Sequence, residues 1–536
     1  MADPFYITTA IAYPNGKPHI GHAYEAIAAD AIARFQRLSG RDVRLVTGTD
    51  EHGLKMAQTA RAAGRDTLEF ATEMSDHFRA MCGRLNISFD AFRRTTEEQH
   101  KQASITLWKA MRDADDLYLD RYEGWYSVRD EAFYDEGETT LGEGGVRLSP
   151  QGTPVEWTVE ESWFFRLSRY QDWLIGILEG TDHNGANPTG ERLILEPESR
   201  RNEVLGFLKG NVLRDLSVSR TSFDWGVPVP DSPGHVMYVW VDALCTYLTG
   251  IGFPERGGEF DRFWPADLHL IGKDIVRFHA VYWPAFLKSA GLDLPKKIFG
   301  HGFLLHRGEK MSKSLGNVVD PLELADRFGV DALRYFLLRE VSFGQDGSYS
   351  AEAIVTRCNA ELANSFGNLA QRTLSLIFKN LDGELPDRTA HSPTEDADLL
   401  ASRTALLSLM QQYLQELDFT GATDAWMKLV FNCNAYIDAQ APWALKKTDP
   451  ERMKAVLATL FVCIRDLAIA IQPIIPESAG KLLDQMGIPA DERSFATLSD
   501  TAWYERLRTS GFRLGQPVGI FPRLEMPPEL IGSSEA

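Results

Sequence analysis

No apolar run among the 536 residues approaches the length of a membrane-spanning helix. The opening residues, Met-Ala-Asp-Pro-Phe-Tyr, lack the basic flank and apolar core of a secretory signal, so no signal peptide is expected. Cysteine is scarce. Cys82, Cys245, Cys358, Cys433 and Cys463 are scattered singly, which excludes a disulfide framework and fits free thiols in a reducing cytosol. No cysteine lies between Cys82 and Cys245, and no histidine between His100 and His183, so a tetrahedral Cys-type zinc site is excluded from that stretch. Positive charge is in the minority, at a net −19. That argues only weakly against a nucleic-acid partner, because phosphate binding depends on local fields. Arg93-Arg94 and Lys446-Lys447 are local cationic clusters, although such pairs are commonly just solvated faces.

A content of 44% hydrophobic and 24% charged residues describes an ordinary globular chain, and its length predicts two to four domains. The first hundred residues alternate strand and helix. Phe5 to Thr9 reads as a strand, Pro14-Asn15-Gly16-Lys17-Pro18 as a loop, His22 to Ser39 as an amphipathic helix stopped by Gly40, and Val43 to Thr47 as a second strand. This pattern predicts a right-handed βαβ unit in a parallel sheet, with ligands beyond the carboxyl ends of the strands. From about 115 to 235, Gly, Pro, Trp and Tyr accumulate and the texture becomes β-rich, as in a small insertion. The α/β pattern then resumes with a strand from Leu268 to Ile271, the turn Gly272-Lys273-Asp274, a helix from Ile275 to Ser289 and a strand near Ile298. Amphipathic segments near 352–380, 395–417, 420–440, 450–472 and 476–486 predict a helical bundle. The turn-rich tail from Gly511 onward is expected to pack back as a short strand.

Two motifs carry the chemistry. His19-Ile20-Gly21-His22 sets two imidazoles three residues apart at a helix start, where ring N–H groups and the helix dipole both suit a phosphate. Gly21 between them would let a ligand approach the backbone. Lys310-Met311-Ser312-Lys313-Ser314 offers two point charges flanking hydroxyls, between Gly308 and Gly316, in a loop able to close over a departing pyrophosphate. Alone, the first motif equally describes a capped helix and the second a solvated basic turn. Together they describe a clamp for ATP. A small-molecule nucleotidyltransferase would use a similar histidine motif, but needs no helical domain of this size.

With these motifs the chain resembles the class I aminoacyl-tRNA synthetases, and it is most similar to their methionyl branch over essentially its full length. The resemblance implies a Rossmann-type parallel-sheet catalytic domain with a small β-rich insertion, followed by an α-helical anticodon-binding bundle. The expected divisions are 1–114 and 236–300 for the two catalytic halves and 115–235 for the insertion. The lysine loop and stem-contact region would occupy 301–350, the bundle 351–510 and the tail 511–536. The implied reaction joins L-methionine and MgATP into methionyl-adenylate, then transfers methionine to the 3′ end of a tRNA with a CAU anticodon. His19, His22, Lys310 and Lys313 would be catalytic. Gly21, Glu25, Gly272, Asp274, Ser312 and Ser314 would hold ATP, Asp274 at the ribose.

The strings Tyr238-Val239-Trp240-Val241-Asp242-Ala243 and Phe278-His279-Ala280-Val281-Tyr282-Trp283-Pro284 supply aromatic rings that suit a thioether. Any one of these rings by itself reads more simply as core. By resemblance, Tyr13, Trp240, Tyr247, Phe278 and Trp283 form the methionine cage and His279 lies near the sulfur. Ile11, Ala243 and Leu244 add aliphatic walls, and Asp50 binds the α-amino group. Leu244 stands where some relatives carry proline. Many relatives hold zinc on cysteine knuckles in the insertion, but here Ser127 and Asp130 occupy the thiol positions. The expectation is a zinc-free knuckle held by Trp125, Tyr126, Phe133, Tyr134 and Trp157. In the bundle, Asn368 and Arg372 share a helix face one turn apart, and Trp443 follows a helix break. Such residues are ordinarily surface and packing groups; the resemblance makes them readers of the anticodon. It also implies a monomer, soluble in the bacterial cytoplasm, without a membrane partner.

Overall fold

The structure, a computed structural model, describes residues 2–128, 132–180, 190–306, 309–310, 319–387, 394–498, 500 and 502–526. Its core is a six-stranded sheet made of β1 (Pro4–Thr9), β2 (Asp42–Thr49), β3 (Ala91–Arg94), β4 (Ile194–Glu196), β5 (Leu268–Gly272) and β6 (Lys297–His301). All neighbours run parallel, in the order β3-β2-β1-β5-β6-β4. The near-continuous apolar runs of β1 and β5 are buried along their length because helices cover both faces. From β1 the chain moves outward to β2 and β3 in one direction, and β5 lies on the other side. The crevice outside the carboxyl ends of β1 and β5 is therefore the topological switch point where such sheets take ligands.

Helix Ile20–Leu38 follows β1 and starts two residues before the expected His22, because His19 caps it. The helix expected over Ile275–Ser289 is irregular: a tight turn at Lys273–Ile275, a π-helical turn at Phe278–Tyr282, then an α-helix from Trp283 to Ser289. Pro284 has no N–H to donate, and the wider turn before it accommodates its ring.

The β-rich insertion is a four-stranded antiparallel sheet built on Leu117–Ser127 and Glu156–Phe165. The span expected for it also contains β4, which pairs with β6 and so belongs to the core sheet. At the knuckle, the buried Ser127 and Ser149 hydroxyls each lie 2.7 Å from the Thr153 hydroxyl. Trp125 meets Trp157 edge-on at 5.4 Å, and the Arg147 guanidinium lies over Trp125. Trp157 is half exposed. The staple is thus a hydroxyl cluster inside with a tryptophan pair outside, rather than an all-aromatic core. Asp130 and the Phe133 side chain lie outside the described residues.

The helical part comprises Ala351–Cys358, a π-helical stretch Asn359–Gly367, then Asn368–Asn380, Thr394–Gln415, Phe419–Gln440, Pro450–Ile471 and Pro476–Gln485. Helix Pro450–Ile471 is apolar nearly all round and forms the bundle's centre, as such a pattern requires. The bundle is fastened to the catalytic core by Arg334, fully buried in helix Val330–Glu340. Its guanidinium donates to Asp30 Oδ2 (2.6 Å) and to the carbonyls of Ile474, Pro473 and Leu85. A buried charge so fully satisfied is a rigid joint, because losing any partner strands the rest. The tail returns as expected, and among the described residues it forms one strand-like bridge, Glu384 with Arg513. Among the described residues, no helix is long and apolar enough to cross a membrane.

Candidate active site

A cavity of about 460 Å³ opens at the switch point. β1 ends in Thr9 and runs into Ala10–Tyr13, which form one wall with His19, Gly21, His22 and Glu25; Gly48 and Asp50 from β2, Trp240, Gly272, Asp274 and His301 complete it. Residues distant in sequence therefore converge, because β1, β2, β5 and β6 run parallel and all end at one rim.

The histidine motif is a reciprocal cap. Gly21 N–H donates to His19 Nδ1 at 3.1 Å, and His19 N–H donates to His22 Nδ1 at 3.1 Å. Each Nδ1 is thus an acceptor, which leaves the ring proton of the neutral imidazole on Nε2. The rings stack at 3.8 Å, and His22 meets Phe78 edge-on. Two N–H donors are thereby preorganised at a helix N-terminus. A Cβ on Gly21 would come within 2.9 Å of the His19 ring. The glycine is needed for the cap itself, a tighter reason than access for a ligand.

Asp50 is fixed from both sides. Its N–H donates to Ala12 O at 2.8 Å. Next to it, the buried Glu51 accepts from Arg94 Nε and Nη2 and from Thr96 Oγ1. On the other side, His52 Nδ1 lies 2.5 Å from Asp242 Oδ2, whose second oxygen lies 2.6 Å from His100 Nε2. Burial alone would raise the Asp242 carboxyl, but the two imidazoles outweigh it and bring it down to about 2. Asp242, within the Trp-x-Asp-Ala string, is the hub that sequence reasoning missed.

His301 was missed as well. Its Nδ1 donates to Gly302 O and its Nε2 lies 2.8 Å from Glu25 Oε2. Burial pushes the Glu25 carboxyl up; burial also pulls the His301 imidazole down, but Glu25 lifts it above its ordinary value. The signal was a His-Gly step directly after a buried strand. Glu25 accordingly spends an oxygen on His301 as well as facing the cavity.

The aromatic residues divide into two layers. Ile11, Tyr13, Asp50 and Trp240 line the cavity, whereas Ala243, Leu244, Tyr247, Phe278, His279 and Trp283 do not. Phe278 stacks behind Trp240 at 3.9 Å and 5°. Tyr247 donates its hydroxyl proton to His279 Nε2 at 2.6 Å, since His279 Nδ1 donates to Ile275 O. Burial pulls the His279 imidazole down to about 4, so it is neutral. Trp283 Nε1 donates to His269 Nε2, which in turn sets His269 Nδ1 as donor to Thr8 Oγ1. Ala243, Leu244, Tyr247, His279 and Trp283 are buried behind that lining, and Phe278 is half-buried against Trp240. Helix Val239–Thr249 turns Ala243, Leu244 and Tyr247 into the interior, which explains the difference. Met311, Ser312, Lys313 and Ser314 lie outside the described residues, as does the Lys310 side chain. The Lys310 backbone pairs with Leu305 in a short antiparallel strand.

Residues 5–143 and 147–374 match the family model described as tRNA synthetases class I (M), and 385–525 match the anticodon binding domain of methionyl tRNA ligase. The methionine–tRNA ligase of Rhizobium meliloti is 55% identical over 98% of this chain and 99% of its own length. That of Mycobacterium bovis is 55% identical over 98% of each. The chain belongs to the methionine-specific class I tRNA synthetases. The solved Mycobacterium tuberculosis methionyl-tRNA synthetase with methionyl-adenylate superposes with a TM-score of 0.89 at 54% identity, over 97% of this chain and 100% of the other. Its free form gives 0.84 at 50% identity, over 98% and 99%.

In this synthetase the expected anticodon residues sit on one face of the bundle. Helix Phe419–Gln440 ends where Ala441 adopts a left-handed conformation (φ 44°), and Pro442 starts a new turn carrying the half-exposed Trp443. The Arg372 guanidinium lies 5.2 Å from the Trp443 ring and donates to Asp438 at 2.8 Å. Asn368 is exposed one turn earlier on the same helix.

Proposed function

We propose that the cavity is where this enzyme condenses L-methionine with ATP, releasing pyrophosphate, before methionine passes to the 3′-terminal adenosine of a tRNA bearing a CAU anticodon. Magnesium enters as part of the nucleotide substrate. The reading rests above all on the doubly capped His19–His22 pair, whose Nε2–H groups and helix terminus suit the α-phosphate as it gains charge on losing pyrophosphate. Asp50, immobilised between Glu51 and His52, suits the α-ammonium of methionine. Gly272 and Asp274 at the end of β5 suit the ribose, and Glu25 with His301 the adenosine side. Trp240 and Tyr13 close on the thioether, with Phe278, Tyr247, His279 and Trp283 as positioning residues behind them. Lys310, Ser312, Lys313 and Ser314 complete the clamp on the departing pyrophosphate. No nucleophile is required, since the methionine carboxylate itself attacks the α-phosphorus and catalysis consists of alignment and charge stabilisation.

At the far end, Asn368, Arg372 and Trp443 take unpaired anticodon bases by hydrogen bonding and stacking. The division of labour runs from the two catalytic halves (1–114 and 236–300) through 301–350 to the anticodon bundle at 351–510, with the insertion and tail as described. The enzyme acts as a monomer, in the cytoplasm, where its free buried cysteines fit a reducing compartment. Amino-acid-dependent ATP–pyrophosphate exchange with all twenty amino acids tests the substrate. Methionine should drive it; exchange driven by another amino acid and not by methionine sinks the reading. Light scattering of the purified chain tests the monomer.

A further inference from the structure

Trp225 follows Leu216–Ser217, the edge strand that closes the insertion sheet in sequence, and reaches the loop that carries Asp50. Its indole Nε1–H donates to Glu51 O at 2.6 Å, its own carbonyl accepts from Gly53 N–H at 3.1 Å, and its ring meets the His52 ring edge-on at 5.6 Å. One residue of the insertion thus engages all three residues after Asp50. Glu51, His52 and Gly53 are buried, so their backbone groups have no water to fall back on. Trp225 itself is only partly buried. Its polar atoms are spent on the loop, which a residue serving simply to fill the core would not require.

These contacts set the direction in which the chain leaves Asp50. Gly53 sits at φ 107°, a conformation that residues with a Cβ rarely adopt, and it opens helix Leu54–Ala62 without a side-chain cap of its own. The Tyr13 hydroxyl stands in for that cap, accepting from Met56 N–H at 2.9 Å. The clamped loop therefore runs from Asp50 to the hydrogen-bond partner of Tyr13, and both of those residues line the cavity. Downstream, Trp225 leads into a bonded hairpin, in which Met237 N–H donates to Val227 O at 2.8 Å and Val229 N–H to His235 O at 3.0 Å. The hairpin delivers Tyr238, where helix Val239–Thr249 begins with Trp240 in its first turn. Trp225 thus ties the loop of Asp50 to the element that carries Trp240.

From this placement, and resting on the reading of Asp50 as the seat of the α-ammonium, we infer that Trp225 is a positioning residue for methionine, fixing the backbone of Glu51 and Gly53 so that the Asp50 carboxylate and the Trp240 ring keep a set spacing. The insertion thereby takes part in selecting the amino acid. A substrate presents its ammonium and its thioether at a separation limited by its own bonds, so a site that holds both receivers on one frame favours a ligand that reaches both. A ligand with the thioether alone gains nothing from that frame.

The test uses the full chain in methionine-dependent ATP–pyrophosphate exchange, with two inhibitors. Methioninol keeps the ammonium and the thioether; its des-amino counterpart, methylthiobutanol, keeps the thioether alone. Trp225→Phe deletes the N–H and keeps a ring. It should raise KM for methionine and Ki for methioninol by about ten-fold each, the scale of one lost buried hydrogen bond, and leave KM for ATP and Ki for methylthiobutanol within about two-fold. Benzothienylalanine at position 225 keeps the shape of the indole with sulfur in place of the N–H, and should reproduce that pattern even if Trp225→Phe folds poorly. Trp157→Phe removes a half-exposed indole from the same insertion and should change none of these values. Equal losses for both inhibitors and for ATP would make Trp225 a fold-supporting residue only, and an unchanged methioninol Ki in the benzothienyl variant would remove the N–H from the account; either result overturns the proposal. Asp50→Asn separates the two readings. If it weakens methioninol selectively while the Trp225 variants do not, the ammonium site stands and the role of Trp225 fails; if it spares methioninol, both fail.

Discussion

The cavity proposed for methionine activation and the face proposed for the anticodon hold their polar groups in opposite ways. At the cavity nearly every functional side chain is already engaged: His19 and His22 in a mutual cap, Glu25 with His301, and the loop of Asp50 between a buried arginine bridge and a histidine–aspartate–histidine cluster. On the proposed anticodon face, Asn368 is exposed on its helix, Trp443 is half exposed, and Arg372 lies between the Trp443 ring and a solvent-facing aspartate. Stabilising developing charge requires dipoles that do not reorganise during the reaction. Reading splayed-out bases requires edges and rings open to the partner, with the cost of ordering met on binding. The same chain therefore concentrates its buried hydrogen bonds at one end and exposes its amides at the other.

The comparison breaks most visibly at the histidine cap. His19→Ala removes a donor and the cap of helix Ile20–Leu38 together, and exchange kcat should fall by ~10²–10³, the usual loss for one transition-state donor. The unpaired N–H groups at the helix start make a stability loss of about 1 kcal/mol a second expected effect. A variant that keeps wild-type exchange would remove the phosphate role from this residue.

Much of this arrangement was legible in the sequence, for reasons that also mark its limits. Parallel strands buried on both faces are apolar along their length, so β1, β2 and β5 stood out, and the ends of parallel strands fix where the site must be. β4 escaped notice because three residues within a β-rich stretch carry no period. The π-helical turns at Phe278–Tyr282 and Asn359–Gly367 were invisible because helical periodicity does not register one extra residue per turn. Composition showed that aromatics cluster around Trp240 and Trp283, but not which layer each occupies. Ring depth depends on the tilt of helix Val239–Thr249, a tertiary property. The roles of Asp242 and His301 rest on partners more than a hundred residues away, which no local pattern reveals.

Asp242 tests whether preorganisation behind the first layer matters. Asp242→Asn keeps the shape but leaves one imidazole facing an amide, a loss of about 2–3 kcal/mol for a buried charged hydrogen bond. The loop carrying Asp50 should loosen, raising KM for methionine by about ten-fold while KM for ATP changes less. The pH dependence has a definite sign. The native carboxyl sits at about 2, below its ordinary 3.8, so its contribution is fully present above pH 4 and is lost as pH falls toward 2. Urea unfolding at pH 5 and pH 3 should show the wild type losing stability over that interval by more than the variant does. Equal losses would mean that the cluster is not charged as described.

The smallest effect should come from the other end, and in the opposite direction. Asp438 accepts from Arg372 at 2.8 Å with both groups substantially exposed, so the pair adds at most ~0.5–1 kcal/mol to stability. It also occupies the guanidinium that an anticodon base would need, and places a carboxylate beside an incoming polyanion. Asp438→Asn should leave thermal stability and exchange nearly unchanged and lower KM for tRNA by about two- to three-fold, with the gain shrinking as salt is raised. At the cavity, removing a partner of a functional group costs activity because the group depends on it; here, removing one should help. A variant that charges tRNA worse than wild type would mean that Asp438 orients Arg372 for its base, and that the anticodon face is preorganised after all.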